Sequence, residues 1–215
     1  MRRLDILNIM QQSSKFLLND FLKYLDPIYK ELGIFSGSKD TEEAIREIMN
    51  RFYSNLFSLQ NHLITKDSLS STLIQRYNNE LVVDFYYVID PSGEKDKIKN
   101  FFNHKITDRE WSKIDKSEKR KFIPPWVVSQ EDYKNVYRKL SNLAHPNIIS
   151  LQLNRRGTDY EFIIIKDAIC LCIFEICICL NDLRFRELFP SLDWANLYFK
   201  TLEFKNRAGT LLFSK

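Results

Sequence analysis

An arginine, a serine, an asparagine and a histidine lie close together between residues 137 and 147. Arg138 precedes His145 by seven positions, Ser141 and Asn142 lie between them, and Pro146 follows directly. A guanidinium group binds phosphate oxygens well, and an imidazole can both accept and donate a proton near neutral pH. This segment is therefore the first candidate for an active site that handles a phosphate.

A helix beginning near Ser129 is predicted to position these groups, because serine suits an N-cap and acidic residues follow it. When the helix is projected at about 100° per residue, the polar side chains share the face opposite the apolar ones. The polar set comprises Lys134, Arg138, Ser141, Asn142 and His145, and the apolar set comprises Tyr133, Val136, Leu140 and Leu143. Core packing does not explain the polar face.

His145 is expected at the end of this helix. Pro146 disfavours helical geometry at the residue before it. The carbonyl end of a helix favours a protonated imidazole, which suits a group that transfers a proton. The structural alternative is a histidine that only caps the helix, with Arg138 solvated beside it.

The spacing of Arg138 and His145 resembles the R-x4–6-H motif of the HEPN superfamily of helical proteins. The run Tyr-Arg-x-Leu-Ser-x-x-x-His-Pro also resembles an uncharacterised bacterial HEPN-like family. The helix that carries Arg76 and Glu80 is similar to the Arg-x-x-x-Glu helix that precedes the motif in such proteins. The resemblance covers residues 68–90 and 129–147.

The resemblance implies a metal-independent endoribonuclease without a cofactor. His145 would transfer the proton and Arg138 would hold the phosphate, with Ser141, Asn142, Arg76 and Glu80 in support. It also implies a homodimer with RNA as substrate, a toxin or phage-defence role, and an antitoxin or defence-system partner. Many HEPN proteins have Asn, Asp or His directly after the arginine, where this chain has a lysine. A non-catalytic module that binds RNA or a protein partner is therefore the alternative.

The net charge of +4 is concentrated in one segment. Residues 94–121 contain ten Lys or Arg and six Asp or Glu, whereas the rest of the chain has 22 of each. Such a segment with interleaved aromatic residues can bind a nucleic-acid backbone and stack bases. The basic candidates are Lys113, Lys119, Arg120 and Lys121, and the aromatic ones are Phe101, Phe102, Trp111 and Trp126. The alternatives are a solvated charged face and an insertion, 94–128, that covers one side of the core.

A helix from Ser68 to Ile89 is predicted to precede the basic segment. Its apolar residues recur every three or four positions, at Leu69, Leu73, Tyr77, Leu81, Phe85 and Val88. Arg76, Glu80 and Asp84 are spaced four apart on another face. Two interpretations are open: Arg76 and Glu80 form an ordinary i,i+4 surface pair, or the three residues form a polar stripe that faces a cleft.

The whole chain is predicted to be an all-α, HEPN-like bundle in one domain. Helical periods extend over residues 4–66, where Pro27 should kink or split the first helix and Asp40 should begin the second. The motif-bearing part is 67–152, and C-terminal helices follow over 160–215, the last one short, at 193–204. Residues 151–153 and 160–165 can instead pair as one short β-hairpin.

Residues 162–183 form the longest apolar run and contain all four cysteines, at Cys170, Cys172, Cys177 and Cys179. The first two point about 200° apart on a helix, so we interpret all four as apolar core residues rather than metal ligands. Charged residues inside the run argue against a membrane span. We therefore expect a buried helix, no membrane association, no metal site and a cytoplasmic chain.

Overall fold

The computed structural model describes residues 3–33, 40–91, 94–103 and 158–213. Every regular element in these ranges is a helix, which confirms the predicted all-α class. The helices are α1 (Arg3–Leu32), α2 (Thr41–Thr65), α3 (Ser68–Ile89), α4 (Glu94–Phe102), α5 (Thr158–Leu180), α6 (Leu183–Leu188) and α7 (Trp194–Phe213). Their buried apolar residues form one continuous core.

Helix α5 lies at the centre of this core and packs against α1, α2, α3 and α7. Its buried positions Ile165, Ile169, Ile173 and Ile176 recur at helical spacing. The predicted buried helix at 162–183 is therefore confirmed, although it begins and ends a few residues earlier. The hairpin alternative is wrong for residues 160–165, because they form the first turns of α5.

Helix α1 continues through Pro27, so the expected split does not occur. The core face is unbroken across the proline, since Leu25 and Ile28 are both buried. Packing of that face offsets the loss of one backbone hydrogen bond. The helix ends at Gly33, whose φ of 75° is a conformation that glycine adopts without strain.

Helix α2 begins as the sequence predicts. The side chain of Asp40 accepts a hydrogen bond from the backbone amide of Glu43 at 2.9 Å and so caps the helix. Its apolar residues at helical spacing form one stripe that is fully buried: Ile45, Ile48, Phe52, Leu56 and Leu59. Cap and stripe together fix the position of α2 on the core.

Helix α3 has the predicted bounds, but its predicted core face is only half right. Leu81, Phe85 and Val88 are buried, whereas Leu69, Leu73 and Tyr77 are 42%, 45% and 37% exposed. The first half of α3 buries polar residues instead: Ser68, Ser71, Thr72, Gln75, Asn78 and Asn79. Several of these side chains form hydrogen bonds within their own helix: Ser71, Thr72 and Asn79 donate to backbone carbonyls four residues earlier.

The basic segment begins with the short helix α4. It packs on α2 and α3, with Ile98 and Phe101 buried. Phe101 is therefore a core residue, and its predicted role as a base-stacking side chain is wrong. The Lys97 ammonium lies 2.6 Å from the Asp90 carboxylate and joins α4 to the end of α3.

The C-terminal part differs from the prediction in two ways. A break after Leu180 separates α5 from the short α6, where the Asp182 side chain caps the backbone amide of Arg184 at 2.9 Å. Helix α7 reaches Phe213 rather than 204, because its buried face continues through Phe204 to Ala208. Helix α6 ends at Leu188, two residues before Pro190.

Of the helices in the described ranges, none combines the length and the apolar character that crossing a membrane requires.

Replacing Asp40 with alanine should lower the free energy of unfolding by about 1 kcal/mol, because the Glu43 amide loses its acceptor. Urea denaturation followed by circular dichroism measures the change. Asp40→Asn is the matched control, since it keeps an acceptor oxygen and should lose less. Equal stability of Asp40→Ala and the unaltered chain would contradict the capping role.

Candidate functional site

The predicted site residues divide between described and undescribed parts of the chain. Arg76 and Glu80 lie on α3. The others lie outside the described residues and stay predictions: Lys113, Lys119, Arg120, Lys121, Lys134, Arg138, Ser141, Asn142 and His145. Helix α3 is therefore the part of the predicted site whose geometry can be stated.

Arg76 and Glu80 form an ion pair on the outer side of α3. The Arg76 Nε lies 3.5 Å from the Glu80 Oε1, and the two side chains are 21% and 27% exposed. Asp84, one turn further, is also half-buried. The i,i+4 pair of the first interpretation is present, and a pair of this kind contributes only a few tenths of a kcal/mol.

A second polar group links α2 to the same helix. The Arg51 guanidinium donates to the Tyr77 hydroxyl at 3.0 Å and to the Glu47 carboxylate at 2.8 Å. This places a guanidinium at Tyr77, one helical turn from the exposed Leu73 and two turns from the exposed Leu69. The outer side of α3 thus combines charged, aromatic and aliphatic groups, which suits contact with another molecule better than contact with water alone.

The inner side of α3 carries a polar cluster that sequence reasoning missed. The Gln75 Nε2 donates to the Glu175 Oε1 of α5 at 3.0 Å, and the Glu175 side chain is completely buried. Burial raises the pKa of the Glu175 carboxyl well above its usual range, and the bond from Gln75 offsets only part of this effect. The folded environment therefore favours the neutral acid.

Asn78 extends this cluster toward α2. Its Oδ1 accepts a hydrogen bond from the Asn55 Nδ2 at 2.6 Å. Burial raises the pKa of the Cys172 thiol on α5, and a contact with Asn78 offsets only part of this effect. Gln75 Oε1, Asn78 Nδ2 and Glu175 Oε2 are buried and have no hydrogen-bond partner among the described residues. Buried polar atoms of this kind are uncommon in folded chains.

The sequence held a weak signal for the cluster. Glu175 interrupts an apolar run, and Gln75, Asn78 and Asn79 recur at helical spacing. The two partners are 100 residues apart, however, so their pairing cannot be derived from a local period.

The cysteines do not form a metal site with these groups. All four are free thiols buried on α5, which confirms their interpretation as core residues. Within the described ranges, no three His, Cys, Asp or Glu side chains are grouped so as to hold a metal ion.

A cleft of about 660 Å³ lies where α3, α5, α6 and α7 meet, with Tyr86, Asn181, Arg184 and Lys205 in its lining. Arg184 is paired with Asp182 at 3.1 Å, and the Lys205 ammonium lies 5.0 Å from the Phe174 ring centre. Both positive charges in the cleft lining therefore already have a partner within the protein.

No family model matches the chain, and no curated protein or solved structure is significantly similar to it.

The four thiols should be unreactive in the folded chain. Burial raises the pKa of Cys170 to about 12 and raises that of Cys172, Cys177 and Cys179 as well, so the nucleophilic thiolate is scarce. With a chromogenic disulfide reagent at pH 8, we expect no rapid reaction in buffer and four reacting thiols in denaturant. Rapid reaction in buffer would show that α5 is exposed.

Proposed function

We propose that the chain is a metal-independent endoribonuclease of HEPN type. The spacing of Arg138 and His145, followed by Pro146, is the observation that carries the proposal. The ribose 2′-hydroxyl attacks the adjacent phosphorus, and the bond to the 5′-oxygen breaks. The products are a 2′,3′-cyclic phosphate and a free 5′-hydroxyl.

Each of the two motif residues has a defined part in this reaction. His145 takes the proton from the 2′-hydroxyl, and a proton is returned to the leaving 5′-oxygen. Arg138 binds the phosphate and stabilises the charge that develops on its oxygens. Ser141 or Asn142 adds a hydrogen bond to the same group.

The described helices support the proposal in two respects. The all-helical bundle agrees with the fold that the HEPN resemblance implies. Helix α3 also carries the Arg76 and Glu80 pair in the Arg-x-x-x-Glu arrangement of that resemblance. Lys113, Lys119, Arg120, Lys121 and Lys134 supply the contacts to the RNA backbone in this proposal, so binding should weaken as salt rises.

RNA cleavage in the presence of EDTA tests the proposal directly. Arg138→Ala and His145→Ala should each lower the cleavage rate by about 100-fold or more, since each removes a group that acts on the transition state. Arg138→Lys should recover part of the loss, because it keeps the charge without the planar fork. DNA of the same sequence should not be cleaved, since it lacks the attacking hydroxyl.

His62→Ala is the matched control for the histidine variant. His62 lies near the end of α2, with its Nδ1 3.7 Å from the Asp67 carboxylate, and has no part in the proposed reaction. Its rate should equal that of the unaltered chain. Unchanged cleavage by both motif variants would refute the assigned site, and cleavage that stops with EDTA would refute the metal-independent mechanism.

We further propose that two copies of the chain assemble the active site, since HEPN sites typically bring two motifs into one cleft. The mass measured in solution by light scattering should then be about twice 25.7 kDa. RNA cleavage by a mixture of Arg138→Ala and His145→Ala chains tests whether two copies share one active site. A monomer that cleaves RNA at full rate would contradict this arrangement.

A non-catalytic helical module that binds a protein partner is the second candidate. The apolar outer side of α3 favours this candidate. Its residues Leu69, Leu73 and Tyr77 are spaced four apart on one face of the helix and are substantially exposed. In that case the partner is an antitoxin or another component of a defence system. The cleavage assay separates the two candidates, because the module binds without cutting RNA.

A further inference from the structure

Glu175 carries a carboxyl group in the solvent-inaccessible interior of the bundle. It lies on α5 in the interface with α3, and its side chain has no exposed surface. We infer that Glu175 binds a proton in the folded chain and that the neutral carboxyl forms a two-hydrogen-bond pair with the side-chain amide of Gln75. We call this pair, which joins α3 to α5, the clasp, and its second hydrogen bond exists only while the proton is bound.

The hydrogen-bonding atoms lead to this arrangement. Gln75 Nε2 donates to Glu175 Oε1, so Oε1 acts as the carbonyl-like oxygen of the acid. The remaining atoms of the two groups are Gln75 Oε1, an acceptor, and Glu175 Oε2, and neither has a partner among the described residues. One proton on Oε2 converts this pair of acceptors into a donor and an acceptor, which satisfies both atoms at once.

The surrounding charges agree with a neutral carboxyl. Helix α3 presents the uncharged Gln75 and Asn78, and α2 presents Asn55. The titratable groups coupled to Glu175 are Cys172 and Cys179 on α5 itself, and both are buried thiols. Within the described residues, no cation from any packed helix contributes to the electrostatics of Glu175. An ionised carboxylate here would be a buried, uncompensated charge, which is costly.

The clasp makes folding depend on pH in a defined direction. In the unfolded chain a glutamate loses its proton near pH 4.3, whereas the folded chain retains it to higher pH. The folded state then holds one proton more than the unfolded state. The contribution of Glu175 to stability is fully present below about pH 4.3, and above that pH this group lowers the folding equilibrium constant about tenfold for each pH unit until the folded carboxyl ionises.

Glu175→Gln tests the proposal because glutamine has the shape of the neutral acid and carries the same donor and acceptor. Denaturant unfolding is measured from pH 5 to pH 8 for the unaltered chain, Glu175→Gln and Glu161→Gln. Glu161 is the matched control, since it lies on the same helix and is partly exposed. The folding constant of Glu175→Gln should exceed that of the unaltered chain about tenfold more at each higher pH unit, and Glu161→Gln should follow the unaltered chain.

Two results would overturn the proposal. One is a parallel pH dependence for the unaltered chain and Glu175→Gln, because then the carboxyl takes up no extra proton on folding. The other comes from the folded chain labelled with ¹³C at the glutamate Cδ, whose chemical shift reports ionisation directly. We expect the one glutamate signal that is absent in Glu175→Gln to remain at the neutral-acid position at pH 6, and finding that same signal at the carboxylate position would contradict the clasp. Neither measurement depends on RNA cleavage.

Discussion

Helix α5 has no face suited to water, and the other helices are arranged to cover it. An ordinary surface helix places one apolar stripe on the core, but α5 is apolar on nearly every side. It therefore needs neighbours over most of its surface, and α1, α2, α3 and α7 supply them. The bundle is built around this requirement, and the loss of any covering helix would expose a large apolar surface.

Covering α5 with α3 brings polar atoms into the interior. Ser71, Thr72 and Asn79 meet this cost by bonding to the backbone of their own helix. Gln75 and Asn78 bond instead to other helices, through Glu175 and Asn55. Two helices that are distant in the sequence are thus joined by directional bonds in addition to apolar contact.

Features set by neighbouring residues were predictable from the sequence. The Asp40 cap and the apolar stripe of α2 are local, and so are the bounds of α3 and the burial of the cysteines. The rotation of α3 was not predictable, because Leu69, Leu73 and Tyr77 match the helical period as well as the polar residues do. The surface that α5 presents decides which face is buried, and that is a tertiary constraint.

The predicted site divides in the same way. The helical position of Arg76 and Glu80 followed from spacing, and their ion pair is present. The pairing of Gln75 with Glu175 spans 100 residues, so no local pattern encodes it. The length of α7 was missed for a related reason: Gly209 and polar residues mark its second half as a poor helix, and packing of Phe204 and Ala208 on the core compensates.

The hydrogen bond of the Gln75 amide also favours one rotation of α3 about its own axis. Leu69, Leu73 and Tyr77 offer α3 a second apolar face, and turning the helix about its axis would bury that face instead. Apolar contact alone discriminates poorly between two such rotational registers, since it has no direction. A hydrogen bond to one buried atom exists in only one of them. The bond between Gln75 and Glu175 thereby favours the rotation of α3 in which Arg76 and Glu80 stay partly exposed.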